Sequence, residues 1–337
     1  MTSNGQLLEV RDLVVKFRVG QGWFSAGQTV HAVSNVNLEV AHGETLGLVG
    51  ESGSGKSTTA RAVLQLVRPT SGSVKFEGRE VTSASKAAME NLRRRAQMVF
   101  QDPYSCLNQR LKVGPIIREP LDIHDIGDPR SRRQRVIDLL DRVGLPSTAA
   151  DRYPHQFSGG QRQRIGIARA LATEPSLVVC DEPVAALDVS IQAQVLQLLA
   201  DLQAERGMAY LFIAHDLNVV RHVSRRAAVM YLGRIVEQGP SHTLFSVPKH
   251  PYTQALLSAV RLADPRRERS RRRIVLSGEI PSPTEPPSGC TFRTRCRHAQ
   301  ALCAESEPPL EDAGDGTTVA CHFWRDLPAP AMPAQRL

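Results

Sequence analysis

Apolar and polar residues alternate through residues 7–18, Leu-Leu-Glu-Val-Arg-Asp-Leu-Val-Val-Lys-Phe-Arg, and the rhythm returns over 30–40 after a glycine-rich break at 20–27. A period of two puts successive side chains on opposite faces, so both segments are expected to be strands. Thr45-Leu-Gly-Leu-Val49 is a short apolar run that passes through a glycine-rich turn into a helical pattern at 57–67. Three further apolar runs, at 176–180, 210–214 and 227–231, alternate with helical patterns at 160–173, 190–206 and 241–260. Strands alternating with helices predict an α/β fold whose parallel sheet is covered on both faces.

The strand signal disappears between Gln101 and Ser158, where 116–121 and 133–143 read as helical, so a helical subdomain is expected at about 102–170. After residue 262 the composition turns arginine-rich, then becomes Pro281-Ser-Pro-Thr-Glu-Pro-Pro287, then cysteine-bearing, and ends in a Pro/Ala tail at 328–334. The expected organisation is a main domain over 1–262, followed by a linker, a small cysteine module and a frayed end over 263–337.

Composition narrows the class. Of the 337 residues, 41% are hydrophobic, 23% charged and 5% aromatic, which suits a globular chain with a buried core. No apolar run reaches the roughly 18 residues of a membrane span, and Met1-Thr2-Ser3-Asn4-Gly5 lacks the pattern of a secretory signal. A cytosolic location is therefore expected. The net charge of +8 is the excess of 42 basic residues, six lysines and 36 arginines, over 34 acidic ones, with the arginines locally dense at 266–273 and at Arg130, Arg132, Arg133 and Arg135. Such blocks hint weakly at nucleic acid or an anionic membrane, and solvated linkers or helix faces explain them better.

The chemistry begins at Gly50-Glu51-Ser52-Gly53-Ser54-Gly55-Lys56-Ser57-Thr58, which fits G-x-x-x-x-G-K-[ST] between a predicted strand and helix. The glycines let backbone N–H groups turn inward around phosphate oxygens, and the following helix adds its positive end. Lys56 is expected to reach the β- and γ-phosphates and Ser57 to bind Mg²⁺. At 177–182, four apolar residues run into Asp181 and Glu182, the end of a buried strand that delivers its acids to a ligand crevice. Asp181 suits the metal, and Glu182 suits polarising a water. Gln101 after Met98-Val-Phe100, and His215 after Leu211-Phe-Ile-Ala214, end apolar runs in the same way and suit roles at the γ-phosphate.

Ser158-Gly159-Gly160-Gln161 opens a further helix. Alone, it reads as a serine cap on a glycine turn. The order and spacing of the phosphate loop, Gln101, Ser-Gly-Gly-Gln, Asp-Glu, Ala186-Leu187-Asp188 and His215 resemble the ATPase subunit of an ABC transporter over about residues 7–260. Tyr153-Pro-His-Gln-Phe-Ser158, Leu187-Asp-Val-Ser-Ile-Gln192, Phe212-Ile-Ala-His-Asp-Leu217 and His250-Pro-Tyr-Thr253 narrow the resemblance to the oligopeptide/dipeptide importers, as the second of two paired ATPases.

That resemblance implies a P-loop core with a RecA-like parallel sheet, an antiparallel β subdomain and a helical subdomain. It also implies a head-to-tail heterodimer with a sister ATPase, docked on two transmembrane permease subunits at the cytoplasmic side of the membrane and served indirectly by an extracytoplasmic peptide-binding protein. Nucleic acid is not an implied partner. ATP and Mg²⁺ are the implied cofactors, with Ser57, Gln101 and Asp181 around the metal. Ser158, Gly159, Gly160 and Gln161 would serve the partner subunit's nucleotide, His215 the γ-phosphate and Phe17 the adenine, with Trp23 and Phe24 as alternatives. Ala185, Phe157, Cys106 and Gln109 depart from the group's usual wording without removing a phosphate- or metal-binding group. Glutathione or nickel chelates remain alternative cargoes, and a soluble ABC-type ATPase acting on nucleic acid or the ribosome is the rival class. A single motif set, with 102 positions from Lys56 to Ser158, argues against that rival.

Cys290-x5-Cys296-x6-Cys303-x17-Cys321 forms the last constellation. In a reduced compartment such crowding favours metal over disulfide. The spacing suits Cys₄ iron–sulfur ligation somewhat better than zinc, whose ligands usually come in closer pairs, with unmetallated thiols as the third reading. The resemblance implies a [4Fe–4S] cluster there, since some members of that transporter group carry one, with His298 and His322 as alternative ligands.

Overall fold

The computed structural model describes residues 5–20, 27–102, 104–185, 187–260 and 273–327. In chain order the strands are β1 (Gln6–Val19), β2 (Gln28–Ala41), β3 (Thr45–Val49), β4 (Ser71–Phe76), β5 (Arg79–Glu80), β6 (Ala96–Val99), β7 (Leu177–Asp181), β8 (Ala209–Ala214), β9 (Arg226–Tyr231), β10 (Arg234–Pro240), β11 (Glu311–Asp312) and β12 (Thr318–Val319). The helices are α1 (Lys56–Val63), α2 (Lys86–Arg95), α3 (Val113–Ile123), α4 (Pro129–Arg142), α5 (Gly159–Leu171), α6 (Val189–Arg206), α7 (Leu217–Val223), α8 (Ser241–Ser246), α9 (Pro251–Ala259) and α10 (Leu302–Glu305). These elements form two compact units, one of Met1–Glu9, Glu39–Thr45 and Lys75–Ile213, the other of Val10–Leu38, Leu46–Val74 and Ala214–Leu337.

In the first unit β6, β7 and β8 are parallel, with Met98 opposite Val179 and Val179 opposite Leu211. Every residue of β7 and β8 is buried, as expected of parallel strands covered on both faces. The helical segment buries Ile116, Ile117 and Leu121 of α3 and Val136, Leu139 and Leu140 of α4. Asp128 caps α4 by accepting the N–H groups of Arg130 and Ser131, and Gly207, at φ +64°, ends α6. Part of the basic block at 130–135 is ion-paired on this surface: Arg132 holds Asp122 and Asp125, and Arg135 holds Glu174. This agrees with a solvated helix face.

In the second unit β2, β1 and β4 are neighbours in that order. Separately, β3 is parallel to β9, β9 is antiparallel to β10, and β10 pairs antiparallel with β12, which pairs with β11. The sheet is thus mixed where the run-and-helix pattern predicts parallel strands alone. The cause is local: Leu232 and Gly233, at φ +42° and +81°, make a two-residue turn from Tyr231 to Arg234, a connection that only antiparallel strands can use.

The helix expected over 241–260 is two, α8 and α9. Pro251 cannot continue an incoming helix, and His250 caps the second one by accepting the Tyr252 N–H at Nδ1, 3.1 Å away. The short strands β4, β5 and β10–β12 and the helix α2 are structure that the apolar runs do not announce.

Residues 273–327 are built into the second unit by main-chain bonds. The Ala320 N–H donates to the Val236 carbonyl at 2.8 Å and the His31 N–H to the Pro283 carbonyl at 2.9 Å. Lys249 adds an ion pair to Asp315 at 2.6 Å. The arginines at 266–272 lie outside the described residues. Among those described, no helix is long and apolar enough to cross a membrane.

Candidate functional site

In the second unit the buried strand β3 ends at Val49, directly before Gly50, and α1 starts at Lys56 from a Gly55 cap at φ +104°. A Cβ at Gly50 would stand 2.1 Å from the Met230 carbonyl oxygen, and one at Gly55 2.3 Å from that of Ala32, so the loop closes only with glycine at both places. The Lys56 ammonium donates to the carbonyls of Gly50 and Glu51 at 2.8 and 2.9 Å. The Gly233 N–H, from the β9–β10 turn, donates to the Ser54 carbonyl at 2.8 Å. The result is a curled loop at the positive end of a helix, with a lysine folded back over it and Ser57 and Thr58 in the helix's first turn. Phe17, near the end of β1, is exposed, as is His215, directly after β8; Trp23 and Phe24 lie outside the described residues.

In the first unit Asp181 is the last residue of β7 and only 2% exposed. Glu182 follows in the left-handed region at φ +49°, its N–H bonded to the Ile213 carbonyl at 3.0 Å. A non-glycine residue in that region is strained by about 1–3 kcal/mol, and such residues concentrate at active sites. Gln101, two residues past β6, donates its side-chain amide to the Glu182 carboxylate at 2.7 Å. Parallel pairing of β6 and β7 brings these two residues together.

The Ser158 hydroxyl accepts the Gln161 N–H at 3.3 Å while the Gln161 side chain accepts the Ser158 N–H at 3.1 Å, a reciprocal cap at the start of α5. Ser158, Gly159 and Gln161 are exposed, whereas a Cβ at Gly160 would stand 2.4 Å from Ile191 on α6. The capping reading of this segment is therefore correct locally. It leaves an exposed helix N-terminus.

All six cysteines are free thiols. Cys290, Cys296, Cys303 and Cys321 line one small cavity with Phe292 and Phe323. Burial, and then the neighbouring cysteines, push the thiols of Cys290 and Cys321 up to about 11, and burial also raises Cys296. Among the described residues no three His, Cys, Asp or Glu side chains are gathered around one metal-ion position. His322 instead sits 3.0 Å from the Ser306 carbonyl.

The sequence model of ABC transporters matches residues 33–185, and that of the oligopeptide/dipeptide transporter C-terminal region matches 236–303. The putative oligopeptide transport ATP-binding protein YkfD of Bacillus subtilis (strain 168) is 51% identical over 321 residues, spanning 95% of this chain and 96% of its own. The chain belongs to the ATP-binding subunits of oligopeptide/dipeptide ABC transporters. The oligopeptide transport ATP-binding protein AppF of the same organism is 49% identical over 328 residues, 96% of this chain and all of its own. Among solved structures, the ATP-binding cassette MJ0796, a dimer in a post-hydrolysis state bound to ADP and Pi, superposes with a TM-score of 0.62 at 30% identity over 69% of this chain and 98% of its own. This ABC subunit is an ATPase whose hydrolysis of ATP drives transport.

Two residues to which the sequence assigned no role at the site touch the phosphate loop of this ABC subunit. The Tyr252 hydroxyl accepts the Glu51 N–H at 2.9 Å, and Arg295 holds the Glu51 carboxylate. Arg295 carries no signal beyond its place between Cys290 and Cys296.

Proposed function

We propose that this chain energises uptake of di- and oligopeptides through a membrane importer, as one of two non-identical ATPases on a pair of permease subunits, peripheral to the cytosolic face. The observation that carries the cargo class is near-full-length identity of 49–51% to proteins named for oligopeptide transport. An extracytoplasmic peptide-binding protein completes the assembly.

Within that reading the P-loop residues Gly50 to Thr58 cradle the phosphates of ATP, Lys56 neutralises the β- and γ-phosphates, and Phe17 stacks on the adenine. Glu182 polarises the attacking water, and Gln101 orients it through the bond between them. His215 holds the γ-phosphate. Ser158, Gly159, Gly160 and Gln161 offer a helix N-terminus to the partner subunit's nucleotide. Ser57, Gln101 and Asp181 hold Mg²⁺, a hard cation suited to their oxygen donors, and Mg²⁺ when bound neutralises charge that develops on the phosphates.

The cysteine region is assigned to a structural [4Fe–4S] cluster on Cys290, Cys296, Cys303 and Cys321. Support comes from four free thiols on one largely apolar cavity, in a region with few large apolar side chains of its own. Zinc is the alternative, and it needs four ligands drawn around a single point.

ATP hydrolysis by the purified chain, alone and with its permeases and sister ATPase, tests the assignment. Stimulation by the membrane complex is expected. Stimulation by RNA or DNA with no response to the membrane complex would instead place the chain among ABC-type ATPases acting on nucleic acid.

A further inference from the structure

An acidic side chain in the second position of a phosphate-binding loop carries a negative charge that opposes that of the ligand. Glu51 occupies that position. Its carboxylate is held by Arg295 through a two-point fork, Nη1 to Oε2 at 2.6 Å and Nη2 to Oε1 at 3.2 Å, from 244 positions further along the chain. The arginine side chain is 8% exposed and that of the glutamate 26%, so solvent screens the pair only weakly. Only arginine presents two parallel donors to a carboxylate in this way.

The Arg295 end of the contact is fixed by its surroundings. Phe292 packs against Tyr231, Tyr252 and His250, with ring centroids 5.2, 5.3 and 5.7 Å away, and the Arg295 N–H closes a turn onto the Phe292 carbonyl at 3.0 Å. The guanidinium lies 5.9 Å from the Tyr231 ring. The turn is anchored in turn by the Cys290 N–H donating to the Cys303 carbonyl at 2.8 Å, beside Gly289, where a Cβ would stand 2.4 Å from that same oxygen. On the loop side, the Glu51 N–H is engaged by the Tyr252 hydroxyl and the Glu51 carbonyl by Lys56. The main chain and the side chain of Glu51 are therefore both held.

We propose that Arg295 is a positioning residue for nucleotide binding: from the C-terminal region it neutralises Glu51 and, with Tyr252, fixes the P-loop backbone that receives the phosphates. This rests on the P-loop being the ATP site. It gives the region after residue 262 a role in ATP affinity that does not depend on which group, if any, the cysteines hold.

The test is equilibrium binding of MgATP to the full chain, with KM and kcat for ATP measured in the assembled transporter. Arg295→Met is expected to raise the Kd and KM about ten-fold while kcat stays within about three-fold, the split expected when ground-state binding is lost. Arg295→Lys, which keeps the charge and loses the fork, is expected to fall between. In the Glu51→Gln background the effect of Arg295→Met is expected to shrink to about two-fold, because the carboxylate it neutralises is gone. Equal effects of Arg295→Met in both backgrounds, or a lowered melting temperature with unchanged Kd and KM, would overturn the proposal. Wild-type protein that fails to bind MgATP would refute the ATP-site reading itself, which separates the two failures.

Discussion

The Gln101 amide donates a 2.7 Å hydrogen bond to the Glu182 carboxylate from 81 positions earlier in the chain. Glu182 is held in a left-handed backbone conformation at the end of β7, and Gln101 leaves the adjacent parallel strand. Glu182→Gln keeps the size and loses the base. The complex is expected to retain ATP while turnover falls by about 10²–10⁴, measured as phosphate release and as bound nucleotide with the sister site disabled.

Lys56→Ala should act on binding itself. It removes the ammonium that bridges the Gly50 and Glu51 carbonyls and is assigned to the β/γ-phosphates. Calorimetric titration of the full chain with MgATP is expected to show affinity lost by at least about ten-fold, the loss of about 1.4 kcal/mol or more that a charge-assisted contact supplies.

Packing at β3 predicts a stability effect distinct from chemistry. A Cβ at Gly47 would lie 2.2 Å from Cγ1 of Val220 and 2.7 Å from the Ser224 hydroxyl on the segment that closes α7. Gly47→Ala should lower the unfolding free energy by about 1–3 kcal/mol, and Gly47→Val by more, in denaturant titrations.

His250 predicts an acid sensitivity. Burial pushes its imidazole down to about 3, and its Nδ1 must be unprotonated to accept the Tyr252 N–H. An unfolded histidine titrates near about 6.5. Between those values the unfolded chain holds more protons than the folded one, so stability falls with falling pH by about 1.4 kcal/mol per unit from this group. Denaturant titrations between about pH 6 and pH 4 should show His250→Gln losing less stability than the wild type over that window, a difference of about one proton. Parallel slopes would contradict it.

For the cysteine region, protein purified without air should carry iron and acid-labile sulfide in near-stoichiometric amounts. Zinc without iron would replace the cluster by the other metal. Neither metal, or wild-type folding of a variant with all four cysteines changed to serine, would leave the thiols without a structural task.

Much of the core was legible because buried parallel strands write themselves as apolar runs: β3, β7, β8 and β9 all coincide with such runs to within a residue. The P-loop was legible for a different reason, since Gly50 and Gly55 have backbones and neighbours that exclude any side chain. The break between α8 and α9 was present in the sequence as Pro251 behind a capping His250, a signal that the apolar periodicity on either side masked. The turn at Leu232 and Gly233 lacks the usual Asn-Gly wording, so the antiparallel return of β10 went unseen. β11 and β12 are two residues each and exist because β10 offers an edge, which no local pattern records. The grip of Arg295 on Glu51 is hidden in the same way, because it is set by folding across 244 positions rather than by spacing.

The decisive measurement is uptake of a labelled di- or oligopeptide into vesicles containing the permeases, the sister ATPase and this chain, with the extracytoplasmic peptide-binding protein supplied on the opposite face and ATP hydrolysis followed in the same sample. Wild-type protein should accumulate peptide only with MgATP present, and Glu182→Gln should reduce hydrolysis and accumulation together by about 10² or more. Undiminished peptide accumulation by the Glu182→Gln complex, or vigorous hydrolysis by the wild type with no peptide entering, would contradict a peptide importer driven by this ATPase.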